Sequence, residues 1–164
     1  MKTLIIYATK SGTTKKCAAL LAANLGIESC ALWNMADGEP ELSDYDCLVF
    51  GSPLRMGVID KKISAFLQKK KAEILERRFG LFLCGCLEEK VSEAITKNFS
   101  EDFLEKARSV EYFGGELSAE KGKGLEKLVI RSFFKIAQKD PDFRLADKIR
   151  PEAITAFAGE LYKE

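Results

Sequence analysis

Histidine is absent from this 164-residue chain. Its absence removes Ser-His-Asp and Cys-His nucleophilic catalysis, H-E-x-x-H metal sites and any imidazole proton shuttle. No apolar run approaches the roughly 20 residues needed to span a bilayer. The opening MKTLIIYATK has an apolar stretch too short for a secretory signal and no small-residue cleavage site after it, so a cytoplasmic location is expected. The five cysteines, Cys17, Cys30, Cys47, Cys84 and Cys86, form no C-x-x-C pair. Reduced, buried thiols are therefore expected instead of a disulfide framework, and no metal site. A dominant charge is lacking too: 26 basic and 25 acidic residues leave +1. No basic stripe is interleaved with aromatics on a strand, so no nucleic-acid partner is expected. Whatever chemistry occurs must use carboxylates, Lys, Tyr, Cys or a bound cofactor.

What is present suits one compact domain over 1–164, with 46% hydrophobic and 31% charged residues. Its organising stretch is residues 3–16, TLIIYATKSGTTKK. Leu4, Ile5, Ile6 and Tyr7 form a short apolar run typical of a strand buried on both faces. Thr9, Lys10, Ser11, Gly12, Thr13 and Thr14 follow, and a helical pattern begins at once. A helix start presents unpaired backbone N–H groups and the positive end of its dipole, so this turn is a candidate phosphate site. The hydroxyls of Thr9, Ser11, Thr13 and Thr14 can add donors, while Gly12 lets the backbone bend close. Ser and Thr also serve as plain helix caps, and that alternative stays open. Neither G-x-x-x-x-G-K-[ST] nor G-x-G-x-x-G occurs. T-K-S-G-T-T instead resembles the phosphate loop of flavodoxins, T-x-[ST]-G-x-T, and that resemblance implies flavin mononucleotide (FMN).

Further along, Cys17, Leu20, Leu21 and Leu25 share a helical spacing ending at Gly26, and 27–33 reads as a second strand. Residues 46–50, DCLVF, form a third strand expected to stop at Gly51. The loop 51–57, GSPLRMG, then looks like the G-[SA]-P-x-x-x-G segment that flanks the flavin ring in flavodoxin-like proteins; its alternative is a plain turn. Ser52, Pro53, Leu54, Arg55, Met56 and Gly57 are its candidate ring contacts, with Gly51 and Gly57 allowing tight turns and Pro53 stiffening the loop. Arg55 can lie near the ring or attract an anionic substrate; its alternative is a solvated loop charge. A helix over 60–71 is capped by Asp60. The fourth strand, 79–84, runs into Gly85-Cys86-Leu87, which the same resemblance places on the other side of the ring together with Cys84. The C-x-C of Cys84 and Cys86 suits strand end and loop lining better than a strained disulfide.

Helical patterns over 88–97 and 100–108 and a fifth strand over 110–113 complete an α/β doubly wound parallel sheet. Its order, 2-1-3-4-5, puts a ligand at the switch between strands one and three. Residues 117–150 are extra to the minimal flavodoxin-like fold and precede a last helix opened by Pro151. Within them, 124–139 is a basic amphipathic segment, GLEKLVIRSFFKIAQK, able to pack on the core, cap a hydrophobic substrate site, pack on a partner subunit in an oligomer, or lie on the inner face of a membrane.

MKTLIIYATKSGTT, SDYDCLVFGSPLRMG, FGLFLCGC, YFGGEL and the FFKI-type helix with the following DPDFR are similar to one branch of the flavodoxin superfamily. That branch is the menaquinone-linked protoporphyrinogen dehydrogenases. The resemblance implies noncovalent FMN, with its phosphate at residues 9–14 and its ring between 52–57 and 84–87. It also implies an oxidoreductase passing electrons from a porphyrinogen-type small molecule to a quinone. An electron carrier between redox proteins is the alternative, disfavoured by the near-neutral charge and by Leu54, Arg55 and Met56 standing where carriers often place a ring aromatic. A fold-only module without flavin is the third reading.

Overall fold

The computed structural model of the chain describes residues 1–85, 88–116 and 148–163. The strands are β1 (Thr3–Tyr7), β2 (Cys30–Asn34), β3 (Cys47–Arg55), β4 (Val58–Ile59), β5 (Arg78–Cys84) and β6 (Val110–Tyr112). Five of them are parallel in the order β2-β1-β3-β5-β6, and the two-residue β4 folds back antiparallel on the end of β3. Setting β4 aside, this is the expected 2-1-3-4-5 flavodoxin-like sheet.

Strand periodicity explains the two cores. Leu4, Ile6, Leu48, Phe50 and Leu81 face the side covered by α2 (Lys61–Lys69), α3 (Lys71–Leu75), α4 (Val91–Asn98) and α5 (Glu101–Lys106). Ile5, Tyr7, Val49 and Phe82 face α1 (Thr13–Leu25) and α6 (Pro151–Tyr162). Residues two apart share a face, so an unbroken apolar run is what a strand covered by helices on both sides requires.

Four expectations about this framework change. Ile27 is 71% exposed in a short 3-10 turn, so the second strand begins only at Cys30. Helix α1 buries Thr14, Cys17, Ala18, Leu21 and Ala22, a single stripe at i, i+3, i+4 spacing, which leaves Leu20 exposed. The helix expected over 60–71 divides at Lys70 into α2 and α3. Strand β3 does not stop at Phe50: Gly51, Ser52 and Pro53 pair onward with Phe82, Leu83 and Cys84 of β5. Strand β1 ends opposite Gly51, so Pro53 lies on a stretch with one open edge, where a missing N–H is tolerated.

Gly51 consequently makes no turn. A Cβ there would stand 2.1 Å from Cζ of Phe82, whose ring lies across it. The last described helix opens at Pro151, as expected, after Ile149 bridges to Gly114 and Arg150 N–H donates to Phe113 O at 2.9 Å. Residues 117–147, with the amphipathic segment 124–139, lie outside the described residues.

Candidate functional site

The candidate site forms where the strand order reverses. The chain leaving β1 stays beside β3, with Ala8 N–H donating to Gly51 O at 3.1 Å. It then turns into α1 through Gly12, whose φ of 93° is a left-handed conformation that suits glycine. Gly12 N–H donates to Thr9 Oγ1 at 3.1 Å, so the Thr9 hydroxyl shapes the turn. No side chain caps α1, and its first turn carries no acid. Lys10, Ser11 and Gly12 are exposed and Thr13 is partly so. The result is an open helix start rich in N–H and hydroxyl donors, with positive potential from the helix dipole.

Thr14 departs from this role. Its side chain is buried at 1% exposure, and its hydroxyl lies beside the Cys84 thiol, not at the mouth. Thr14 can therefore serve an anion only through its backbone. Lys16 is anchored to Glu116 at 2.7 Å, tying the first turn of α1 to the chain after β6.

The second segment, 52–57, is the end of β3 and the turn of a hairpin. Leu54 pairs with Ile59 and Arg55 with Val58, leaving Met56 and Gly57 as a two-residue loop. Both have positive φ, 52° and 75°, the signature of a type I′ turn. Ser52 is buried, accepting from Asp60 N–H at 2.8 Å and donating to Pro53 O at 3.0 Å. Its hydroxyl is consumed in fixing the entry to α2. Met56, by contrast, is 78% exposed at the tip, with Arg55 also exposed.

The third segment starts at Cys84, which is buried against α1 with its thiol beside that of Cys17. Burial first, and then Cys17, push the Cys84 pKa up. Burial likewise raises Cys47 to about 11. The Cys84 and Cys47 thiols are held protonated and are poor nucleophiles.

Gly85 is gripped by its neighbours: its N–H donates to Gly114 O at 3.1 Å and its carbonyl accepts from the Tyr112 hydroxyl. A Cβ on Gly115 would come within 2.2 Å of Gly85 O, so the backbones after β5 and β6 meet directly. The Arg150 guanidinium lies 5.9 Å from the Tyr112 ring centroid. Tyr112 was not among the expected site residues, although it opens the YFGGEL stretch and stands two positions ahead of Gly114-Gly115. Cys86 and Leu87 lie outside the described residues. Among the described residues, no group of three or more Cys, Asp and Glu could hold a metal ion.

A doubly wound sheet with a donor-rich helix start and a glycine-bearing hairpin at its switch point defines an α/β protein of the kind whose ligand crevice lies at the C-terminal ends of its strands. The flavodoxin domain model matches residues 4–144, and the chain belongs to that family.

Among curated proteins, protoporphyrinogen IX dehydrogenase [quinone] of Escherichia coli K12 is 33% identical over 72 residues, which is 42% of this chain and 40% of that protein. The match thus spans less than half of the relative. Among solved structures, Fusobacterium nucleatum flavodoxin bound to flavin mononucleotide is similar with a TM-score of 0.54 and 16% identity, covering 98% of this chain and 97% of that one. A short-chain flavodoxin associated with a non-canonical PDU bacterial microcompartment gives 0.55 and 14% over 98% and 97%. At these identities the likeness is one of fold.

Proposed function

We propose that the chain binds FMN at this mouth and is an oxidoreductase that passes electrons from a reduced small molecule of porphyrinogen type to a quinone. The observation that carries the cofactor assignment is the uncapped, acid-free start of α1, with exposed Ser11 and Gly12 and partly exposed Thr13, beside the β3–β4 hairpin. These residues fit a phosphate monoester. The first-turn N–H groups and the Ser11 and Thr13 hydroxyls would hold the phosphate. Leu54, Met56, Gly57 and Gly85 would border the ring, with Cys86 and Leu87 following in the chain.

When bound, FMN would supply the two-electron chemistry. The protein's own part is to bind and orient. The α1 dipole and Lys10 draw in the phosphate, Ser52 and Asp60 fix the base of the hairpin, and Tyr112 holds the Gly85 carbonyl. The choice of donor and acceptor is supported by the partial likeness to the Escherichia coli enzyme and by the motifs shared with that branch. Segment 124–139, basic and amphipathic in sequence, supports contact at the membrane surface where a quinone is met. No helix among the described residues is long and apolar enough to cross a membrane.

Reconstitution tests the reading. Purified protein mixed with FMN gains visible flavin bands and quenches flavin fluorescence, and anaerobically it oxidises protoporphyrinogen with a menaquinone analogue. Ser11→Asp weakens FMN at least tenfold by placing a carboxylate against the phosphate, while riboflavin, which has no phosphate, binds as before. Bound FMN without quinone-dependent turnover, but with electron transfer between a reductase and an acceptor protein, would make the chain a carrier. No flavin uptake would remove both redox readings.

A further inference from the structure

The β3–β4 hairpin projects from the sheet, and its outer edge should leave backbone groups unpaired. In a two-residue hairpin, Val58 turns its own N–H and C=O toward Arg55 across the ladder, while Gly57 C=O and Ile59 N–H point the other way. That outward pair meets a single side chain. Asn98, the last residue of α4, donates from Nδ2 to Gly57 O at 2.8 Å and accepts at Oδ1 from Ile59 N–H at 3.1 Å. Its second Nδ2 hydrogen goes to Ala94 O of its own helix at 2.7 Å.

Accepting from residue i+1 and donating to residue i−1 is how one residue of a parallel strand pairs with its neighbour. The Asn98 amide therefore stands in for the next strand along the hairpin. It closes an edge that would otherwise fray, and it locks the orientation of the peptide after Gly57 next to the exposed Met56.

We propose that Asn98 is a positioning residue for the ligand's ring: it holds the Met56–Gly57 tip in one conformation through both outward groups of the hairpin. The inference rests on the FMN reading above and adds to it a residue far from the loops, 41 positions from Gly57 in sequence. Asn98 acts through the hairpin and touches no ligand itself.

A comparison of FMN with riboflavin for wild type, Asn98→Leu and Ser11→Asp tests this, at a temperature well below each protein's melting point. Asn98→Leu keeps the size and loses both hairpin bonds; it is expected to weaken FMN and riboflavin alike by about tenfold and to shift the bands of the bound flavin. Asn98→Asp keeps the acceptor for Ile59 but sets a carboxylate oxygen against Gly57 O. At neutral pH it is expected to weaken both flavins as well, because repulsion at Gly57 O replaces the bond there while the one to Ile59 is kept.

Ser11→Asp, acting on the phosphate side, weakens FMN only. A lower melting temperature with unchanged affinities and spectrum would make Asn98 merely structural and overturn the proposal. Wild-type protein that takes up neither flavin would instead overturn the FMN reading, and this proposal with it.

Discussion

Replacing Gly51 by alanine probes the packing beneath the site. The new Cβ would stand 2.1, 2.4 and 2.7 Å from three ring atoms of Phe82. Carbon atoms pack at roughly 3.5–4.0 Å, so the ring has to retreat by about 1.5 Å. It has nowhere to go. Phe82 is stacked on Phe113 with centroids 4.5 Å apart and planes at 15°, and the ring of Phe157 stands edge-on 6.4 Å away. All three are fully buried. Overpacking of a well-filled core costs about 1–3 kcal/mol, and the rigid backing here argues for the upper half of that range. For a domain of this size that corresponds to a melting temperature lower by about 4–12 °C. Differential scanning calorimetry of Gly51→Ala, Phe82→Leu and the double variant checks it. Once the ring is gone the alanine has room, so the double variant should be more stable than the sum of the two losses by about 1 kcal/mol or more. A Gly51→Ala melting temperature within 1 °C of wild type, or strict additivity in the cycle, would refute the steric account.

Three further outcomes follow from individual contacts. Cys47 keeps its proton up to about 11 in the fold, against 9.0 for an ordinary thiol, because it is buried. Between those values the unfolded chain releases the proton and the native chain does not. This contribution is thus complete below pH 9 and is lost as pH rises toward 11, roughly 2–3 kcal/mol in all. Urea titrations at pH 8 to 11 should show a shallower alkaline decline for Cys47→Ala than for wild type. Asp60 Oδ1 accepts from Lys62 N–H at 2.9 Å at the head of α2, so Asp60→Ala should cost about 1 kcal/mol in chemical denaturation. Met56 occupies a left-handed position that asparagine tolerates better, so Met56→Asn should raise the melting temperature of the unliganded protein by an amount matching about 0.5–1 kcal/mol.

Sequence patterns of short range determined the framework. The unbroken apolar runs at 4–7, 47–50 and 79–84 could be satisfied only as strands covered on both faces, and helical spacings between them left a parallel doubly wound sheet as the consistent outcome. Chain order then placed 9–14 and 52–57 at the switch point, because a parallel sheet puts every strand's C-terminal end on the same side. Asp60 as a cap and Pro151 at a helix start were legible for the same reason: their partners lie within a turn.

Tertiary structure decided what depended on neighbours distant in the chain. Gly51 looked like a turn residue, yet the ring of Phe82 across the ladder is what requires its missing side chain. Ser52 and Thr14 looked like ligand contacts, but the start of α2 draws one inward and the Cys84 thiol lies beside the other. Asn98 carried no motif, and Tyr112 lay in the YFGGEL stretch without a role assigned to it; each matters because folding brings it to a backbone group 41 and 27 residues away. Local spacing encodes which residues can share a face. Which backbone group still needs a partner, and which side chain reaches it, is settled only when the sheet and helices have closed around them.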